Sequence, residues 1–131
     1  MVDPIVFIST HGIKEGRLNG FTELSREVAP MIEQEKPNTV FFHAYLNEEG
    51  SEVTIVHVFP DADSMDLHFQ GADDRSARSH EFIQPRRFEI YGTPSDLVLS
   101  AMRRETGPGI ELILKPRPLF GFIRLTSWRA Q

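Results

Sequence analysis

The spacing of hydrophobic positions changes several times along the chain, and each change predicts an element. Ile5-Val6-Phe7-Ile8-Ser9-Thr10-His11 is apolar and β-branched and stops at Gly12, which predicts a first strand. From Phe21 the period lengthens. Phe21, Leu24, Val28 and Ile32 recur every three or four residues, with Met31 beside them and Glu23, Arg26, Glu27 and Glu33 between, the pattern of an amphipathic helix. Pro30 inside this helix predicts a kink or a loosened last turn, and Lys36-Pro37-Asn38 ends it. Two strand-like runs follow, about Thr39–Asn47 and Glu52–Phe59, joined by Glu48-Glu49-Gly50-Ser51, where Gly50 is free to take a positive φ. Pro60-Asp61-Ala62-Asp63-Ser64 opens a second helix, since Asp61 or Asp63 can accept from its free amides. Met65, Leu67 or His68, and Phe69 form its apolar side, and Gly71 interrupts it. A further helical piece from Ser76 to Ile83 stops at Pro85, and Arg86-Arg87-Phe88-Glu89-Ile90-Tyr91 predicts a fourth strand.

Strand, helix, strand, strand, helix, strand is the order of the split βαβ, ferredoxin-like α+β fold with an antiparallel sheet. The expected sheet has the first and third strands as central neighbours running parallel, with the second bordering the third and the fourth bordering the first. This domain takes residues 1–94. Residues 95–131 form a C-terminal extension, too small to fold alone, packed on the same domain or on a dimer partner. In it Ser95 caps a short helix whose apolar positions are Leu97, Val98, Ala101 and Met102, with Arg103 and Arg104 near its C-terminal end. Ile110–Lys115 and Phe120–Leu125 read as two short strands, separated by Pro116-Arg117-Pro118, which forbids ordinary ladder pairing.

Successive strand residues point to opposite faces. The even positions Val40, Phe42, Ala44, Leu46, Thr54, Val56 and Val58 are largely aliphatic and suit packing under helices. The odd positions Ile5, Phe7, Ser9, His11, Phe41, His43, Tyr45, Val53, Ile55, His57 and Phe59 mix aromatic, aliphatic and imidazole groups. Leaving that odd set in water would cost about 25 cal/mol per Å² of apolar surface. The expectation is therefore that a second copy of the chain, the extension, or both bury it. His11, His43 and His57 then share one face, with His43 opposite His57 if the hairpin loop has an odd number of residues. Three imidazoles can hold zinc, but no carboxylate at ligand spacing accompanies them, so the expectation is a polar pocket or dimer seam and no metal.

Composition narrows the classes. In 131 residues, 40% are hydrophobic and 25% charged, as in a globular domain. The net charge of −5 argues against nucleic-acid binding, which needs a basic face. The chain has no cysteine, which excludes disulfides, thiolate catalysis and cysteine-based metal sites. MVDPIVFIST has no basic start before a long apolar core, and no apolar run approaches the roughly 20 residues that span a bilayer. The expectation is a cytoplasmic protein with no membrane partner.

Two stretches carry a family likeness. Gly12-Ile13-Lys14-Glu15-Gly16 ahead of the Phe21 helix, and Phe59-Pro60-Asp61-Ala62-Asp63-Ser64-Met65-Asp66-Leu67-His68-Phe69, a strand ending in an aromatic that runs into a helix with an acidic start and a histidine before an apolar residue, resemble the antibiotic biosynthesis monooxygenase-like proteins over about residues 4–92. The resemblance implies a dimeric α+β barrel. It also implies one of several activities: some relatives oxidise quinols or anthrone-type aromatics with oxygen and no cofactor, some degrade haem, and many have no assigned activity. On this reading His68, His57 and Tyr45 are the catalytic candidates, while His11, His43, Phe41, Phe59, Phe69, Arg87 and Tyr91 line a substrate pocket. Tyr45, Tyr91 or Arg87 would stabilise a developing oxyanion. The partners implied are a second copy of the chain and a small aromatic molecule. Phe59 stands where tryptophan is more usual, Ser9-Thr10-His11 lacks the asparagine of haem-degrading members, and GADDRSARSH at 71–80 and the extension are longer than the pattern. Three readings stay open: a cofactor-independent monooxygenase of an aromatic or quinol-like substrate, a non-catalytic ligand-binding or accessory protein, and a haem or metal binder using His80, His68 or the strand histidines.

Overall fold

A computed structural model describes residues 3–125. The elements are β1 (Ile5–Ile13), α1 (Leu18–Glu35), β2 (Phe41–Leu46), β3 (Glu52–Phe59), α2 (Ala62–Phe69), α3 (Ala72–Ser79), β4 (Ile83–Tyr91), α4 (Asp96–Glu105) and β5 (Glu111–Lys115). They form one sheet in the order β2-β3-β1-β4-β5. The first four strands are the ferredoxin-like βαββαβ unit, antiparallel throughout, and β5 joins β4 in parallel.

β1 and β3 are neighbours as expected, but they run antiparallel, not parallel. The reason is topological. The crossover through α1 brings β2 in along the direction of β1, and the tight hairpin then reverses β3. Asn47 holds that hairpin: its side-chain carbonyl accepts from the amides of Ser51 and Glu52 at 2.9 and 3.0 Å, and Gly50 takes φ 70°.

α1 continues through Pro30 to Glu35. The break between α2 and α3 falls at Gly71, in the left-handed conformation at φ 80°. Asp61 caps α2 by accepting from the Ser64 amide at 2.8 Å, and Ser95 caps α4 by accepting from the Val98 amide. β4 begins at Ile83, earlier than the pattern predicts, and contains Pro85. β5 pairs only from Arg87 onward, so the missing Pro85 N–H faces no strand there. Opposite it the register against β1 shifts between Thr10 and His11, and the extra residue, Arg86, lays its side chain across Gly12, where a Cβ would lie 2.5 Å from the guanidinium. The expected strand at Phe120–Leu125 is absent among the described residues. Leu119, Phe120 and Phe122 extend from the body with 82–90% of their surface exposed.

The register also corrects the assignment of faces. β1 and β3 pair odd with odd (Phe7 with His57, Ser9 with Ile55), whereas β2 and β3 pair even with odd (Phe42 with His57, Ala44 with Ile55). The odd residues of β1 and β3 therefore share a face with the even residues of β2. This is the face covered by the chain's own helices: Phe59 and Ile5 pack with Met65 of α2 and with Val98 and Met102 of α4. The even residues Val6, Ile8, Val56 and Val58 lie on the opposite, helix-free face together with Phe41, His43 and Tyr45. The chain itself buries the imidazole of His57 and half-buries that of His11, with no second copy needed. His43 lies opposite Val56 rather than His57, because six residues separate the paired positions Leu46 and Val53.

Candidate functional site: a cavity between the sheet and its helices

α1 is long and amphipathic, yet of its residues only Phe21 and Ile32 are buried. Leu24 and Val28, one turn apart, stay half-buried because they face a space. The buried side chains accordingly divide into two clusters, one around Phe7, Phe59, Phe88 and Met102 and a smaller one of Phe21, Val53 and Ile83. Between them lies a cavity of about 750 Å³, of the size of a small-molecule pocket. Its floor is the sheet, with Phe7, Ser9, His11, Phe42, Ile55 and His57, and its walls come from all four helices.

At one end two histidines meet. The rings of His57 on β3 and His68 near the end of α2 lie 5.1 Å apart between centroids, edge to face, with Phe59 5.1 Å from His68 and Phe42 5.2 Å from His57. Both side chains are buried. His57 Nδ1 donates to the Phe7 carbonyl at 3.0 Å, which fixes the proton on that nitrogen and leaves Nε2 as an acceptor. His68 Nδ1 is 2.8 Å from the Thr39 hydroxyl. Burial lowers the pKa of His57 to about 4, against the opposing pull of the Phe7 carbonyl. Burial, with the charges of His57, Arg75 and Lys36, lowers that of His68 to about 3. Both rings are neutral at physiological pH.

The C-terminal turn of α2 beside them is held by two cations. Arg75 of α3 donates to the His68 and Gln70 carbonyls at 2.6 and 3.1 Å, and Lys36 Nζ donates to the Leu67 carbonyl at 2.7 Å. Arg75 also lines the cavity. The charged residues Asp66, Asp73, Arg104 and Glu105 line it too; Asp66 accepts from the Ser95 hydroxyl.

The residues singled out from sequence separate into two groups. His57, His68, His11 and Phe69 line the cavity, and Phe59 lies buried behind the histidine pair. His43 touches the cavity edge, but its ring lies tilted beside those of Phe41 and Tyr45, at 4.9 and 6.1 Å between centroids, on the helix-free face. Tyr45, Phe41, Arg87 and Tyr91 are not cavity residues. Arg87 pairs with Glu89 at 3.4 Å, and Tyr91 donates to Glu89 at 2.6 Å, in a network on the helix-free face. The oxyanion donors expected from sequence are thus across the sheet from the histidine pair. Among the described residues no three ligand-type side chains converge on a metal position. The sequence reading passed over Arg75, Ser76 and Ser79, and singled out His80 only as a haem or metal ligand. Their one-turn spacing in an otherwise polar helix was the available sign that one side of α3 faces a cavity.

No family model matches the sequence, and no curated protein does. Solved structures do match. MupZ from Pseudomonas fluorescens superposes with a TM-score of 0.73 at 15% identity, over 97% of this chain and 99% of that one. SnoaB, a cofactor-independent oxygenase from Streptomyces nogalater, gives 0.58 at 12% over 72% of this chain and 97% of its own. A candidate antibiotic biosynthesis monooxygenase from Nitrosomonas europaea gives 0.61 at 16% over 71% and 92%. The chain has the fold of the antibiotic biosynthesis monooxygenase-like proteins. At these identities the likeness is one of architecture. The likeness to MupZ, covering nearly the whole chain, takes in most of the extension as well.

Proposed function

We propose that the chain is a cytoplasmic, small-molecule-binding homodimer that acts as a cofactor-independent monooxygenase of an aromatic or quinol-like substrate. The observation that carries this reading is the pair of neutral, buried imidazoles, His57 and His68, lining a cavity of about 750 Å³ whose wall is mostly apolar but also holds charged groups such as Arg75. An imidazolium is disfavoured there in the resting state, so His57 Nε2 accepts a proton only as an anion forms beside it and compensates the charge. The chemistry balances with dioxygen as the sole co-reactant. The base removes a proton from the substrate, and the carbanion or phenolate so formed passes an electron to oxygen. The resulting radical pair joins as a peroxide, which takes back the proton, and loss of water leaves a new carbonyl. One oxygen atom enters the product and the other leaves as water. Arg75, a cation in the cavity wall, favours the anionic steps. The test is oxygen uptake with anthrone or a naphthoquinol: His57→Phe should abolish it and His68→Phe should reduce it, and uptake unchanged in both would overturn the assignment.

A second reading is a ligand-binding protein without catalysis. It is favoured by the position of Tyr45, Arg87 and Tyr91 on the far face, which leaves no neutral oxyanion donor from that set at the histidine pair. Tight binding of the same aromatics with no oxygen uptake would establish it.

The homodimer is supported by the helix-free face of the sheet, where Val6, Ile8, Val56 and Val58 remain half-exposed and Phe41 and Tyr45 are exposed at 38% and 54%. Light scattering at micromolar concentration distinguishes a 30 kDa pair, twice the 15.0 kDa chain, from a single chain.

A further inference from the structure

The arm that follows β5 has the pattern of a strand and pairs with none. Phe120, Phe122 and Arg124 alternate with Gly121, Ile123 and Leu125, yet these residues belong to no ladder among the described residues. Leu119, Phe120 and Phe122 are 82–90% exposed. The root of the arm is fixed: the Thr93 hydroxyl donates to the Pro116 carbonyl at 3.1 Å, and the Gly92 amide donates to the Lys115 carbonyl at 3.0 Å. Beyond it, Pro116 and Pro118 set their own φ at about −65° and press Lys115 and Arg117 into extended conformations. Such a spacer carries the arm off the end of β5 instead of folding it back.

The sheet has one edge that suits an extended apolar segment. It ends in β5 on one side and β2 on the other. β5 is short, five residues, and is bounded by Glu111 and Lys115, which discourages pairing. β2 has no Asp, Glu, Lys, Arg or Pro between Val40 and Leu46, and Val40, Phe41, Tyr45 and Leu46 are 38–54% exposed. Within one chain this edge is four strand spacings, about 19 Å, from β5. Two copies facing each other across their helix-free faces, about a two-fold axis along the strands, bring the β5 of each over the β2 of the other. The charges agree with that meeting. The arm carries Arg117 and Arg124, and the turn after β2 carries Glu48 and Glu49; all four are exposed and, among the described residues, in no ion pair.

We propose that residues 119–125 are an exchanged arm, which adds as a further strand to the β2 edge of a second copy and sets Phe120 and Phe122 beside Phe41 and Tyr45 of the partner subunit. The inference rests on the homodimer reading and adds which segment holds the pair together and where it sits. It gives the strand-patterned segment the ladder it lacks in one chain, and it covers the open edge and the exposed rings at once.

The test replaces Phe122 with the photo-crosslinker p-benzoylphenylalanine in the full chain. This chain is refolded from urea with an equal amount of nitrogen-15-labelled wild type and irradiated. Residue 122 should become joined to labelled peptides from residues 39–47. Links confined to products of single-chain mass would mean that the arm lies on its own sheet, and would overturn the exchange. Links elsewhere on the labelled chain, or none while light scattering still shows a pair, would overturn the β2 seat and leave the homodimer standing. A single chain by light scattering would overturn the homodimer reading and the arm with it. A second variant, Phe120→Ser with Phe122→Ser, should raise the dissociation constant of the pair about a hundredfold. Its far-ultraviolet dichroism should match the wild type, because both rings are exposed in the single chain. An unchanged dissociation constant would overturn the inference.

Discussion

The two faces of the same sheet carry similar residue types and do opposite things. On one face His57 and Phe59 alternate with outward residues of β3 and are 6% and 0% exposed under α2 and α4. On the other, Phe41 and Tyr45 sit beside His43 with no helix above them and remain 38% and 54% exposed. Aromatic and imidazole content does not distinguish these sets. Coverage does: where the helices stand off the sheet they enclose a cavity, and there each buried polar group must find a partner or wait for one. The helix-free face solves its polar requirements locally, with Arg87, Glu89, Tyr91 and the Thr10–Thr54 hydroxyl pair at 3.2 Å, and keeps an aliphatic centre suited to another surface.

The largest separation between the faces should appear on truncating one aromatic from each. Phe59→Ala removes a ring with no exposed surface from between both histidines and Met65, and should cost about 3–5 kcal/mol in urea denaturation. Tyr45→Ala should cost less than about 1 kcal/mol in the isolated chain. Equal costs would mean that the helix-free face is as well packed as the covered one, and would break the contrast.

The next effect is the dependence on pH. In the unfolded chain the histidines titrate near 6.5, while His11 and His57 fall to about 4 and His68 to about 3 in the fold. Between pH 6.5 and about 4 the unfolded state therefore binds more protons than the folded one, and stability falls as pH falls. The stability these rings retain is fully present above pH 6.5. The slope is at most about 1.4 kcal/mol per pH unit for each ring. His57→Phe should flatten the low-pH limb of a denaturation series, and a limb unchanged in His57→Phe would mean that this ring is not held neutral by the fold.

A charge on the helix-free face sharpens the comparison in another way. Val56→Glu places a carboxylate at the middle of β3 on that face, opposite His43. It should shift light-scattering mass from the pair toward the single chain and leave naphthoquinol binding within about twofold, since the cavity is on the other side. Loss of binding together with the pair would mean that the second copy helps to build the cavity.

Element order was legible in the sequence because its signals are local: the changes of period at Phe21 and Pro60, the Asp61 and Ser95 caps, and the glycine at 71. The face that turns inward was not, because it depends on how strands pair. Val6 and Ile8 are as apolar as Ile5 and Phe7, so β1 alone cannot choose. The Asn47 turn sets β2 out of phase with β3, so counting odd and even positions across the hairpin joins residues that the structure puts on opposite faces. The same error grouped Tyr45 and His43 with His57. His68 and His57 were found because a histidine in an apolar pattern is conspicuous. Arg75 was missed because α3, with no buried residue, looks like a solvated helix until the cavity beneath it is known.

The smallest predicted effect separates the faces at a single hydroxyl. Thr39 is the partner of His68 Nδ1 at 2.8 Å, next to a buried ring, while Thr54 pairs with Thr10 on the helix-free face, where it is half-exposed. Valine is close in shape to threonine and removes only the hydroxyl. In Thr39→Val a buried ring nitrogen loses its partner, so about 1–2 kcal/mol of stability should be lost and the His68 ring nitrogens should change their proton distribution in a nitrogen-detected spectrum. In Thr54→Val the buried Thr10 hydroxyl keeps its contact with Arg87 at 3.4 Å, and the change should stay within about 0.5 kcal/mol. If the two substitutions cost the same and the His68 resonances do not move, the Thr39 contact does not hold the imidazole, and the His57–His68 pair is positioned by the packing of Phe42 and Phe59 alone.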